Sequence, residues 1–117
     1  MPNSRKTVID SLGYAIELEM REGRLLLSTI GIRPGVLFDR VDVEIFKAFI
    51  DLAIKLPIDG RRKEVLSNDV QVFLEASSPP FIRIRGSAGD IDIHPASWLP
   101  LSCELALCLP RLAKQAA

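Results

Sequence analysis

An α+β fold made of two consecutive strand–strand–strand–helix units is what this sequence predicts, and three observations carry the prediction. Residues 14–30 and 70–85 alternate apolar with polar side chains around turn residues, which marks half-buried strands in hairpins. Residues 41–56 carry charged and apolar side chains at three- and four-residue spacing, which marks an amphipathic helix. The order then recurs, and the two helical segments share a phrase: residues 51–57 read DLAIKLP and residues 104–110 read ELALCLP. The expectation is a single compact domain over 14–117, with half-units at about 14–57 and 64–110. One antiparallel sheet, or two abutting ones, would carry both helices on the apolar face. The shared phrase fits an internal repeat, and it also fits the chemistry by which an apolar helix ends.

Each element has its own warrant. Tyr14, Ile16, Leu18 and Met20 alternate with Ala15, Glu17 and Glu19, and Glu22-Gly23 is a two-residue turn leading into Leu25 to Ile30. That turn length sets Met20 opposite Leu25 and Leu18 opposite Leu27, apolar against apolar. Gly31 to Gly35, with Pro34, reads as a loop before a short strand Val36 to Phe38. In the helix from Val41 to Leu56, Glu44, Lys47, Asp51 and Lys55 form a polar stripe, Asp39 or Asp42 caps the start, and Pro57 stops it. The second unit has strands at Val70 to Ala76, Phe81 to Arg85 and Asp90 to Ile93. Its helix runs from about Trp98 to Leu109, with Ser97 as N-cap, Pro100 in the first turn and Pro110 disturbing or ending it. Residues 1–13 are expected either to lack fixed structure or to form a short helix ending at Gly13.

Composition narrows the function classes. The 117 residues are 48 % hydrophobic and 26 % charged, a globular balance with enough apolar material for a core. Fifteen basic side chains meet fifteen acidic ones, so the surface as a whole is no polyanion footprint. The N-terminal stretch has no apolar core or small-residue cleavage pattern of a secretory signal. No run reaches the roughly 18 apolar residues of a membrane span. Cys103 and Cys108 lie five apart on a helical segment and point roughly 140° apart, so they are read as small buried thiols and not a disulfide. A cytoplasmic location follows as the expectation.

The candidate chemistry is thin. Asp90, Asp92 and His94 share one strand face, but same-face neighbours stand about 6.6 Å apart, too far for three ligands on one ion. A four-residue hairpin loop at Gly86–Gly89 supplies better partners, setting Arg85 against Asp90 and Arg83 against Asp92 on the wet face. The same register sets Ile84 against Ile91 and Ile82 against Ile93. Either cysteine would need His94 as a base, yet both sit on an apolar helix. Gly86-Ser87-Ala88-Gly89 lacks the context of a phosphate cradle. Glu17 and Glu19 read as solubilising. No catalytic residue, cofactor site or metal site is assigned, and the chain is expected not to be an enzyme.

Two binding classes remain. From Trp98 to Leu109 only Ser102 and Glu104 are strongly polar, whereas a helix covering a sheet normally keeps a polar stripe. Full burial of such a helix is hard in so small a domain. The leading expectation is therefore a homodimeric adaptor, inhibitor or regulatory partner working through protein–protein contacts. Its interface would use Trp98, Leu101, Leu105 and Cys108, with Phe73, which shares a face with Gln71 and Glu75 away from the core. The alternative is a single-stranded nucleic-acid binder using Arg61, Arg62, Lys63, Arg83 and Arg85. In order of elements, strand-rich units each ending in a helix, the chain resembles the Whirly-type single-strand-binding proteins, a resemblance that implies that ligand. Aromatics make up only 6 % of the chain, which leaves few stacking platforms. The two classes separate on whether Arg83 and Arg85 are neutralised by Asp92 and Asp90 or stand free.

Overall fold

The computed structural model describes residues 6–11, 14–29, 32–55, 63–75, 77, 79–87 and 89–116. The first unit holds β1 (Lys6–Ser11), β2 (Tyr14–Arg21), β3 (Arg24–Thr29), β4 (Ile32–Phe38) and α1 (Arg40–Lys55). The second holds β5 (Lys63–Val65), a 3-10 turn at Ser67–Asp69, β6 (Gln71–Glu75), β7 (Phe81–Gly86), β8 (Gly89–Ile93) and α2 (Pro95–Ala116). The class is α+β as expected, with two sheets rather than one, ordered β1-β2-β3-β4 and β5-β6-β7-β8. Each unit has four strands, one more than the alternation showed.

Hairpin chemistry sets the registers. Glu22 and Gly23 both take positive φ, at 48° and 80°, as a two-residue turn matched to strand twist requires. Met20 then pairs with Leu25 and Leu18 with Leu27. Across β7 and β8, Arg83 pairs with Asp92, Ile84 with Ile91, Arg85 with Asp90 and Ile82 with Ile93, the four pairs read from the sequence.

Four expectations are corrected. Lys6–Ser11 is neither helical nor an unstructured lead-in but the edge strand β1, paired along its length with β2. Residues 32–35 belong to β4, because an edge strand tolerates Pro34, whose missing N–H removes no ladder bond. The register shifts between Leu27 and Thr29, and Gly35 absorbs it at φ 90°. A Cβ there would come within 2.6 Å of the Leu27 carbonyl oxygen, so only glycine fits. Pro110 does not end α2, which runs on to Ala116 with Pro100 and Pro110 inside it. Both prolines lie on the helix's exposed side. Ser97 is not the cap: the Ala96 N–H donates to His94 Nδ1 at 3.0 Å, Pro95 opens the helix, and Ser97 Oγ is buried without a partner.

The start of α1 is closed by both candidate acids. Asp42 N–H donates to Asp39 Oδ1 at 2.8 Å, and Asp39 N–H donates to Asp42 Oδ2 at 3.2 Å, a reciprocal box. Asp42 is buried and its other oxygen accepts the Ser67 N–H at 3.0 Å, tying the first unit to the second. The inner faces of both sheets close on one core. Ile16, Leu18, Leu25, Leu27 and Phe38 come from the first, and Val72, Ile82, Ile84, Ile91 and Ile93 from the second. Phe46, Ile50, Leu101 and Leu105 come from the helices. The helices pack on each other, and α2 reaches back from β8 to β1, so the units interlock.

Candidate functional site

The outer face of the second sheet shows first what the arginines do. Arg83 donates to Asp92 through two bonds, Nε to Oδ1 at 2.6 Å and Nη2 to Oδ2 at 3.0 Å. Glu75 lies 3.6 Å and Asp90 3.9 Å from the same guanidinium. The bonds to Asp92 hold Arg83 protonated above its ordinary range, against the opposing effect of burial. Arg85 donates to both oxygens of Asp90, at 3.2 and 3.4 Å. The guanidinium of Arg85 also lies 5.2 Å from the centre of the Phe73 ring, and Lys63 Nζ lies 5.9 Å from it. Phe73 is thus a half-buried ring flanked by two cations, not a bare anchor for a partner. Arg61 and Arg62 lie outside the described residues.

The would-be ligand set is likewise spoken for. Asp90 and Asp92 serve the arginines, while His94 caps α2 and stands edge-on to Phe81 at 6.1 Å between ring centres. Among the described residues, no group of three or more His, Cys, Asp and Glu side chains gathers as a metal ion would need. Glu19 on the first sheet pairs with Arg21 at 2.8 Å.

The interface residues expected on α2 are corrected next. Trp98, Leu101, Leu105 and Cys108 all belong to the chain's own core. Trp98 further donates its indole N–H to the Ile93 carbonyl at 2.9 Å. That side of the helix is buried within the chain and offers little surface to another one.

The two polar residues of α2 between Trp98 and Leu109 turn to neighbouring elements as well. Ser102 Oγ donates to Asp51 of α1, which also accepts from Lys47 Nζ at 2.7 Å. Thr7 of β1 donates to Glu104 Oε1 at 3.0 Å. Thr7, Leu18, Met20, Glu104, Leu107 and Arg111 border a shallow cleft there, with room on the order of one water. Between Ala96 and Pro110 the helix turns outward Ala96, Leu99, Pro100, Cys103, Ala106, Leu107 and Pro110, all exposed, and exposed Arg111 follows them. Leu99 and Leu107 are 61 % and 62 % exposed. At 100° per residue these seven fill an arc of about 120°, and at 1.5 Å per residue they run about 21 Å, without a charge. Arg111 flanks the arc and Glu104 sits at its margin, held by Thr7.

Sequence reading had marked α2 as abnormally apolar but placed its inner residues in the contact. A signal for the outer ones was present: Ala96, Cys103 and Pro110 recur every seven residues, with Leu99 and Ala106 three after the first two. No family model matches the chain, and no curated protein matches it.

Proposed function

We propose that this chain works by binding and not by catalysis, as a cytoplasmic, self-associating adaptor, inhibitor or regulatory partner whose recognition surface is the outer face of α2. One observation carries the reading. Between Trp98 and Leu109 the helix spends its two polar side chains, Ser102 and Glu104, on neighbouring elements and turns an uncharged apolar stripe to solvent, where a surface helix ordinarily keeps charges. Neither Cys103 nor Cys108 is in a disulfide, in keeping with a reducing compartment. No helix among the described residues is long and apolar enough to cross a membrane.

The arginine pairing weighs against nucleic acid. Arg83 and Arg85 are each engaged by a carboxylate through two bonds, and Phe73 is occupied by Lys63 and Arg85. A polyanion would have to displace two aspartates to reach them. The experiment is a titration of the protein with a short single-stranded oligonucleotide, read by solution mass at low and at high salt. The reading expects self-association that survives high salt and no oligonucleotide complex. A complex that forms at low salt and dissolves at high salt would overturn it in favour of the arginine surface.

A further inference from the structure

We infer that the occupant of the α2 stripe is the α2 helix of a second copy of this chain, laid antiparallel about a two-fold axis that passes at Cys103. The inference rests on the reading above and names its partner and geometry. A contact between identical copies must be self-complementary, since each residue meets its symmetry mate across the axis. The stripe has that property about Cys103. Leu99 lies four residues before it and Leu107 four after; Pro100 lies three before and Ala106 three after. Antiparallel pairing therefore sets each Leu99 against the partner's Leu107 and each Pro100 against the partner's Ala106. At the ends, Ala96 meets the partner's Pro110. Large faces large at one level and small faces small at the next, so the helices can close without a gap.

The seven-residue recurrence supports the same geometry. A heptad spacing keeps an apolar seam facing a partner helix along its length, which the 3.6-residue turn alone does not do. The absence of charge between Ala96 and Pro110 on this face removes like-charge repulsion across the axis. Small residues at the centre let the backbones approach to about 9–10 Å between axes, leaving facing Cα atoms on the order of 4–5 Å apart. That is within the span of a disulfide, so the two Cys103 thiols of a pair could be joined there, while Cys108 is buried on the other side. Area sets the strength. A seam about 21 Å long and one helix wide covers on the order of 200 Å² per chain, well short of the ~800 Å² per partner of a stable dimer. The pairing is accordingly weak and reversible.

Oxidised glutathione turns this into a trapping experiment on the full chain. Two Cys103 thiols give up two protons and two electrons to form one disulfide, and the reagent leaves as two reduced glutathione molecules. A covalent dimer is expected from the native protein and from Cys108→Ser, none from Cys103→Ser, and at least a fivefold lower yield from Leu107→Arg. Equal yield from Leu107→Arg would mean random collision of exposed thiols and would overturn the inference. A glutathione-capped monomer as the sole product would overturn it too. Native solution mass separates the two readings. Salt-resistant dimers without the Cys103 bridge reject this geometry and leave self-association standing, whereas a monomer at every concentration rejects both.

Discussion

α1 and α2 hold the same place at the ends of their units, and their outer faces are opposites. The outside of α1 carries Arg40, Glu44 and Lys55, with the Lys47–Asp51 pair at 2.7 Å along its flank. Its large exposed apolar residues, Val41 at 58 % and Ile54 at 42 %, stand apart at the two ends. The outside of α2 is apolar from Ala96 to Pro110. The shared phrase sharpens the contrast, because its leading acid does similar work in each. Asp51 accepts from Ser102, and Glu104 accepts from Thr7. Both are spent on contacts within the chain, but α1 has other charges to turn to water and α2 has none between Ala96 and Pro110. Polarity that goes into internal contacts is lost to the surface, and the helix with little of it is left bare.

The largest effect should come from crossing α2 from inside to outside. Leu101→Ala empties a fully buried position and should cost about 2–5 kcal/mol in denaturant unfolding, whereas Leu107→Ala should cost less than about 0.5 kcal/mol. Comparable costs would erase the distinction between the two sides. Next come the helix starts. Asp42→Ala takes the acceptor from the part-buried bonds of the Asp39 and Ser67 N–H groups and should cost about 1–2 kcal/mol. His94→Ala removes only the half-buried cap on Ala96 and should cost about 0.5–1 kcal/mol.

A smaller effect tests the contact between the helices. Burial pushes the Asp51 carboxyl up, but the hydrogen bonds from Lys47 and Ser102 and the charges of Lys47 and Lys55 outweigh it and hold it below its ordinary value. A carboxyl lowered by folding lends stability above its unfolded pKa of about 3.9, and that share fades as pH falls through the folded value. Acid unfolding below about pH 4 should therefore be shallower in Asp51→Asn than in the native chain. Identical pH profiles would show that Asp51 is not coupled to folding.

Much of the fold was legible because its determinants are local. Short turns, between the paired Arg21 and Arg24 and between the paired Gly86 and Gly89, fixed the registers of β2–β3 and β7–β8, and opposite charges on β7 and β8 agreed with the apolar pairs beneath them. The rest depended on tertiary context. β1 and β5 are edge strands, and β5 is only three residues long, so neither shows a full alternating pattern. Pro34 reads as loop until its strand is known to be an edge. Pro110 reads as a stop until its side of the helix is known to be wet. The site was half legible. Composition exposed α2 as unusual, but which of its sides faced out depended on where Ser102 and Glu104 found partners, in α1 and β1. Those partners lie 51 and 97 residues away along the chain.

The claim that the bare face of α2 is the recognition surface is tested most directly by solution mass across a concentration series for two double variants. Leu99→Lys with Leu107→Lys charges the α2 stripe, and Val41→Lys with Ile54→Lys adds the same charge to α1. Self-association that is abolished by the α2 pair and kept by the α1 pair, at equal folded stability, is the predicted result. Equal loss in both, or none in either, would contradict the account.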